Sequence, residues 1–282
     1  MTDSPATDAS VRRLELARGW GVTVDEWFET PGSLIGYGCR DDVAVVLKVV
    51  KDRGDEWRSG EILRAFEGRG VVRVYEYVEG AMLLERLDPG TSLVELTCSG
   101  RDEEATAILA DVIASMSPGD PPPACPTVED WGRSFTRYLA TSDQQVPTQL
   151  VRRAAQIYGD LCESQRLTRL LHGDLQHYNI LHDRERGWVA IDPKGVIGEV
   201  EYEIGASLRN PGEPPYIFTD PATIQKRLSV LSSRLSLDVQ RMTRWSFAQA
   251  VLSLIWGVED GYTIVPDHPM FRLIAALEAL NG

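Results

Sequence analysis

Two lobes of unlike construction, a small antiparallel β-sheet carrying one helix and then a larger, mostly helical unit, make up the α+β architecture that this sequence predicts. Three observations lead to it. From Val22 to Leu87, β-branched runs are broken by Gly and Asp, the pattern of short strands and turns. From Arg101 onward, apolar residues recur at helical spacing. Between the two regimes, Glu85 to Asp88 reads as a hinge. The boundaries that follow are a frayed tail at 1–10, a β-rich lobe at 11–87 and a helical lobe at 88–282.

In the first lobe, Val43–Leu47, Val71–Tyr75 and Met82–Leu84 read as buried or half-buried strands, and Asp55 to Gly68 as a helix closed by its glycine. In the second, Asp102 to Met116 opens with acids and continues with Ile108, Leu109, Val112 and Ile113 at helical spacing. A Pro-rich connector follows at Ser117 to Pro126. Further helical patterns cover Val128–Leu139, Thr148–Leu167, Pro221–Leu235, Val239–Val258 and Pro269–Leu280. A compact β segment, Leu170 to Asp192, interrupts them.

The 282-residue chain has no apolar run of about 18 residues, so no membrane span is expected. Its first ten residues lack the basic start and apolar stretch of a signal peptide. Four scattered cysteines, Cys39, Cys98, Cys125 and Cys162, form no CxxC pair and fit a reducing cytoplasm better than a zinc or disulfide framework. A net charge of −13 argues against nucleic-acid binding through phosphates and is compatible with a cationic small-molecule partner. A monomer or weak dimer is expected.

The chemistry concentrates in His172-Gly173-Asp174-Leu175-Gln176-His177-Tyr178-Asn179, flanked by short apolar stretches and followed by Val189-Ala190-Ile191-Asp192. Kinase catalytic loops carry an Asp five residues before an Asn, the spacing of Asp174 and Asn179. Phosphoryl transfer needs a carboxylate to hold the attacking hydroxyl in line and accept its proton, a role that suits Asp174. It also needs hard oxygen ligands for Mg²⁺, which Asn179 and Asp192 supply. His172 reads as a buttress of the loop; His177 faces substrate or solvent. Lys48, ending Val45-Val46-Leu47-Lys48, has the form of the strand lysine that contacts the α- and β-phosphates. Glu61, in the apolar sector of the following helix, is its expected partner. Gly32 to Gly38, with Ser33 near its start, is a phosphate-approaching loop or a plain hairpin. Glu85 and Leu87 are placed against adenine by position.

The segment HGDxxxxN followed by Ile191-Asp192 resembles the aminoglycoside phosphotransferase and choline-kinase-like superfamily, of bilobal protein-kinase-like fold. The run Ile191-Asp192-Pro193-Lys194-Gly195-Val196-Ile197-Gly198-Glu199, then Glu201-Tyr202-Glu203 through Asn210-Pro211, resembles its streptomycin 6-kinase/hydroxyurea phosphotransferase branch. The specific motifs span Leu171 to Pro211; the lobe order matches over the whole chain. The resemblance implies ATP- and Mg²⁺-dependent O-phosphorylation of a cationic aminocyclitol such as streptomycin, as in antibiotic inactivation. It implies Asp174 as base, Asn179 and Asp192 as Mg²⁺ ligands, Lys48 as a phosphate contact, and Glu203, where Asp is usual, as the support beneath the catalytic loop. Pro193 is expected to hold Asp192 extended; Lys194 screens phosphates or makes a surface salt bridge. For a guanidinylated acceptor, Glu199, Glu201, Glu259 and Asp260 are the candidate carboxylates, together with Glu213 and Asp267, and Trp256 is a candidate platform. Alternatives are a kinase of another hydroxyl compound (a hexosamine, an amino alcohol or hydroxyurea) and a nucleotide-binding pseudokinase.

Overall fold

The computed structural model describes residues 9–141 and 143–280. Residues 1–8 of the expected tail lie outside the described residues, whereas Ala9 and Ser10 open a helix, α1 (Ala9–Gly19), that the sequence reading did not anticipate. It packs on a five-stranded antiparallel sheet of order β1-β2-β3-β5-β4, made from β1 (Thr23–Glu29), β2 (Ser33–Arg40), β3 (Val43–Val50), β4 (Val74–Val78) and β5 (Ala81–Glu85). Alternation along β3 sets its two faces. Val45, Leu47 and Val49 join Leu34, Ala81 and Leu83 in a small core under α1. Lys48 pairs in register with Met82 and therefore faces the other way, toward Asp192 of the second lobe.

The expected helix 55–68 divides into a 3₁₀ turn, Asp55–Arg58, and α2 (Ser59–Phe66). Ile62, Leu63 and Phe66 of α2 face Met82 and Leu84 in the main core, which continues into the second lobe. The expected strand 71–75 also divides. Only Val74 and Tyr75 enter β4; Val71 bridges Ala190 in parallel, and Val72 donates its N–H to the Ala190 carbonyl at 2.8 Å. A piece of the first lobe thus hydrogen-bonds to the strand that precedes Asp192.

The chain passes through residues 86–88 into β6 (Pro89–Ser92), α3 (Leu93–Cys98) and α4 (Asp102–Ser115). After the Pro-rich connector come α5 (Val128–Ala140) and α6 (Thr148–Glu163), then β7 (Arg169–Leu171), a 3₁₀ turn at His177–Asn179, β8 (Ile180–Asp183), β9 (Gly187–Ala190) and β10 (Val196–Gly198). β10 pairs with β7, and β6, β8 and β9 form a three-stranded antiparallel sheet. The remainder is α7 (Val200–Leu208), α8 (Tyr216–Thr219), α9 (Pro221–Leu235), α10 (Val239–Glu259) and α11 (Pro269–Leu280). α10 forms the axis of this lobe: Trp245 is fully buried, with its ring 5.0 Å from those of Tyr158 and Tyr202, both edge-on.

One buried cation ties these helices together. Arg227 of α9, 2% exposed, meets both carboxylate oxygens of Asp102 on α4, at 2.6 and 3.0 Å, and donates to the Ser207 and Asn210 carbonyls. Removing one member of a buried pair leaves the other uncompensated. Arg227→Ala is therefore expected to lower unfolding stability by about 3–5 kcal/mol, read as a shift in denaturant midpoint; a loss under about 1 kcal/mol would mean that the pair behaves as a surface bridge.

Candidate active site

The loop between β7 and β8 is shaped from beneath by one carboxylate. Glu203 of α7 is buried and accepts the N–H groups of His172 at 2.8 Å and Gly173 at 3.0 Å. Burial raises its pKa, while His172 and the loop N–H groups oppose that shift. Glu in place of the usual Asp thus reaches two loop N–H groups. The His172 ring donates from Nε2 to the Ile191 carbonyl at 2.8 Å, and its Nδ1 faces the Asp174 N–H at 3.3 Å, an arrangement that places a ring proton on Nε2. One imidazole therefore links the loop carrying Asp174 to the strand end carrying Asp192. Gly173 has φ +81°, and a Cβ there would come 2.8 Å from the Trp131 ring, so only glycine fits between loop and cleft wall.

Asp174, Asn179 and Asp192 are brought together. Asn179 Nδ2 donates to the Asp174 carbonyl at 2.9 Å and lies 3.4 Å from its Oδ2. The Asn179 carbonyl in turn accepts the Ile191 N–H at 2.9 Å. With its amide nitrogen engaged inward, Asn179 keeps Oδ1 as a ligand oxygen. Asp192 offers a second hard oxygen beside its Lys48 contact. One carboxylate and one amide oxygen, completed by phosphate and water, suit Mg²⁺. Asp192 does not adopt the extended backbone expected before proline: its φ is +58°, a left-handed conformation costly for a non-glycine residue. His172 holds the flanks, its ring on the Ile191 carbonyl and its own carbonyl accepting the Lys194 and Gly195 N–H groups at 2.9 Å.

Lys48 Nζ sits 2.5 Å from Asp192 Oδ1 and 3.1 Å from Glu56 Oε2. Burial pulls the Lys48 pKa down, but Asp192 and Glu56 outweigh it and the net shift is upward, so the ammonium is retained. The expected Lys48–Glu61 pair does not form. α2 begins only at Ser59, and the preceding 3₁₀ turn brings Glu56 to the strand lysine instead. Glu61 contacts Arg58 at 2.5 Å and the Tyr77 hydroxyl at 3.4 Å. Burial, then Glu61, pushes that phenol up to about 12. Ser33 lies where the β1–β2 turn enters β2, its hydroxyl donating to Glu56 at 3.2 Å; Gly36 and Gly38 are strand residues. The Glu85 side chain is buried, taking the Arg73 N–H at 2.8 Å and pairing with Arg186, which leaves only backbone at Glu85 and Leu87 for adenine.

Beside Asp174 opens a cleft of about 910 Å³. Trp57, Asp130, Trp131, Ser134, Arg209, Trp256, Glu259 and Asp260 are in its wall. Trp131 and Trp256 stack edge to face at 5.6 Å. Ser134 Oγ is a hub: it accepts from Trp256 Nε1 at 3.1 Å and from Arg137 at 2.5 Å, and donates to Glu259 at 3.1 Å. Asp130, the capping-box acid of α5, is held below the usual carboxylate range by the Thr127 N–H and hydroxyl.

Five expected acceptor residues lie elsewhere. His177 is buried, with both ring nitrogens unpartnered; burial, then Arg227, lowers its pKa well below the ordinary imidazole value. Its helical turn points it at the core, not the cleft. Glu199 is buried against Arg241 and Trp245 Nε1, where it ties β10 and α7 to α10. Glu201, in the first turn of α7, is not part of the cleft wall; nor are Glu213 and Asp267. Glu56, Asp130, Trp131, Ser134 and Arg209 were missed. The Asp55-Glu56 pair just before Ser59 was the available signal for Glu56, and the basic residue ahead of Asn210-Pro211 for Arg209.

A profile of the family described as aminoglycoside/hydroxyurea antibiotic resistance kinase matches residues 20–261. The chain is similar to the streptomycin 3''-kinase of Klebsiella pneumoniae (32% identity, 78% of this chain, 82% of that protein). It is also similar to the hydroxyurea phosphotransferase of Kitasatospora aureofaciens (29%; 95% and 81%) and the streptomycin 6-kinase of Streptomyces griseus (28%; 96% and 86%). In fold it is similar to aminoglycoside phosphotransferase APH(4)-Ia crystallised with ADP and hygromycin B (TM-score 0.66, 18% identity, 97% and 99% coverage). A choline/ethanolamine kinase family protein from Mesorhizobium loti gives a TM-score of 0.65 at 12% identity, with 96% and 94% coverage.

Glu56 and Glu61 separate cleanly in a kinetic test. Glu56→Gln is expected to raise the nucleotide KM about five- to tenfold, near 1–1.4 kcal/mol. Glu61→Gln should leave it within about twofold, under about 0.5 kcal/mol. The reverse order in steady-state titrations would restore Glu61 as the lysine partner.

Proposed function

The chain belongs to the aminoglycoside/hydroxyurea antibiotic resistance kinase family, and from that premise we propose that it moves the γ-phosphoryl group of ATP onto a hydroxyl of a cationic aminocyclitol, with streptomycin as acceptor and its 6-hydroxyl as the expected position. The coarser statement, a phosphotransferase with a small-molecule alcohol as acceptor, follows from the family. The observation that carries the transfer step is the position of Asp174: it lies at the wall of the cleft, with Asn179, Asp192 and Lys48 gathered behind it; streptomycin as acceptor is supported by the names of the matched relatives.

In this reading Asp174 accepts the acceptor's hydroxyl proton as the oxygen forms its bond to the γ-phosphorus. The bond from that phosphorus to the β–γ bridging oxygen breaks, and ADP leaves with the electron pair. Asn179 and Asp192 would hold Mg²⁺, which when bound neutralises phosphate charge. Lys48, kept charged by Asp192 and Glu56, meets the α- and β-phosphates. At the β1–β2 turn Gly32 would offer the approach to the phosphates, because the Ser33 N–H is held by Thr30 Oγ1 at 3.0 Å, and the backbone of Glu85 and Leu87 meets adenine. On the acceptor side, Asp130, Glu259 and Asp260 offer carboxylates to guanidinium or ammonium groups, and Trp131 and Trp256 offer ring faces.

The matched relatives are named for two different hydroxyls of streptomycin and for hydroxyurea, so the acceptor is read by screening. ADP release is measured with streptomycin, hydroxyurea and a hexosamine, and the product's phosphate is located by NMR. Streptomycin-dependent release by the folded chain is expected; release with hydroxyurea or the hexosamine alone would transfer the proposal to that compound. Asp174→Asn is expected to lower kcat by at least about 10²-fold; unchanged turnover would remove its role as base. Asp192→Ala should abolish Mg²⁺-ATP use with the melting temperature retained, and normal turnover in that variant would displace it from the metal site.

A further inference from the structure

We propose that Arg209 is a positioning residue for phosphoryl transfer, holding the Asp174 carboxylate from the side opposite Asn179 and supplying the cation that the catalytic loop itself lacks. The inference rests on the phosphotransferase reading above. Residues 172–179 contain no Lys or Arg. Yet the step needs positive charge there. The base is a carboxylate that must work beside the anionic oxygens of a γ-phosphoryl group, and like charges at that range repel. A guanidinium relieves the repulsion without competing for the acceptor's proton, because it stays charged throughout.

The geometry fits that role. Arg209 Nη2 lies 3.8 Å from Asp174 Oδ1, an ion-pair distance longer than a direct hydrogen bond, while Asn179 Nδ2 lies 3.4 Å from Oδ2, so the two carboxylate oxygens face different groups. The Arg209 side chain is 11% exposed and lies in the cleft wall with Asp174. Lys194, the other cation of the wall near the loop, is exposed. A residue that merely decorated the surface would not be anchored from behind, and Arg209 is. Its Nη1 donates to Gln249 Oε1 at 3.1 Å, and Gln249 Nε2 donates to the Tyr202 carbonyl at 2.5 Å. Gln249, on α10, is buried and lies flat across α7 because position 205 is glycine; a Cβ there would sit 2.3 Å from its amide oxygen. Glycine is unfavourable in a helix interior, so its presence at that turn has a packing reason. The chain Gly205–Gln249–Arg209–Asp174 thus runs from the middle of one helix to the reacting carboxylate.

The test uses the full chain with Mg²⁺-ATP and streptomycin, and in parallel follows ATP hydrolysis with water as acceptor. Arg209→Ala is expected to lower kcat about 50- to 100-fold with the ATP KM within about twofold, and Arg209→Lys, which keeps the charge, to recover at least about tenfold of that loss. Gln249→Leu and Gly205→Ala, which touch neither Asp174 nor the nucleotide, should each lower kcat about three- to tenfold with the same KM signature. These two also keep the proposal testable if Arg209→Ala does not fold. Wild-type kcat in Arg209→Ala, or equal impairment of Ala and Lys variants that both melt at the wild-type temperature, would overturn the assignment. A wild-type chain that hydrolyses ATP but ignores streptomycin would remove the acceptor and still test Arg209 through hydrolysis. A chain inert toward ATP would remove the phosphotransferase reading and this inference with it.

Discussion

The site depends on a buried carboxylate that carries no substrate. Glu203 sits in the core of the helical lobe and takes the N–H groups of His172 and Gly173. An isolated buried carboxylate is costly, and hydrogen bonds from the backbone are what make it tolerable. The dependence runs in both directions. Without those acceptors the left-handed glycine turn would leave two N–H groups unsatisfied; without the turn the carboxylate would be orphaned. Because the same loop presents the His172 ring to the Ile191 carbonyl, the single contact at Glu203 sets the height of Asp174 and, one imidazole further, the position of Asp192.

A second constraint registers the nucleotide side against the first. Lys48 belongs to the five-stranded sheet and Asp192 to the other lobe, so their contact could have rested on the ion pair alone. Backbone supports it as well. Residues 70 and 72 exchange hydrogen bonds with Ala190, two positions before Asp192. The carboxylate of that pair is 41% exposed, which discounts its strength, whereas two backbone bonds to a strand end fix distance without depending on charge. Lys48 and Asp192 are thereby held in register by the fold, and Glu56 completes the ammonium's surroundings.

The lobes, the order of the elements and the triad Asp174, Asn179 and Asp192 were legible because each rests on local pattern: strand alternation, helical periodicity and a fixed spacing between chemically necessary residues. What was not legible is long-range or lies at element boundaries. Lys48 was expected at the phosphates with Glu61 as its partner; the partner depended on whether the helix began at Asp55 or Ser59, and the intervening 3₁₀ turn exchanged Glu61 for Glu56. Val71-Val72 looked like the start of a strand because its residues are β-branched; its hydrogen-bond partner, Ala190, is more than a hundred residues away. Proline at 193 predicted an extended Asp192, and the tertiary grip of His172 on both flanks overrode that preference. Glu199 and His177 carry polar side chains that signal function in sequence, but here burial makes them structural.

The cleft also shows why net charge was a weak guide to the acceptor. A chain of charge −13 might be supposed to attract cations everywhere, yet Arg53, Arg58, Arg137, Lys194 and Arg209 stand in the same wall as Glu61, Asp130, Asp174, Glu259 and Asp260. Several of these acids already have a cation: Glu61 has Arg58 and Glu259 has Arg137. Discrimination in such a wall comes from exchange rather than attraction. The Arg137–Glu259 pair is well solvated, 59% and 32% exposed, and such pairs are worth about 0–1 kcal/mol. An incoming guanidinium that matches Glu259 bidentately can therefore displace Arg137 at small cost. The buried Ser134 hub keeps the carboxylate aimed while it does so. In the Arg209–Asp174 contact it is the cation that differs: Arg209 is only 11% exposed and is anchored through Gln249, so it is less free to be exchanged. Solvation thus distinguishes the two pairs: in the proposed reading the more exposed one is where an acceptor would be recognised, and the one anchored from behind is where its hydroxyl would be activated.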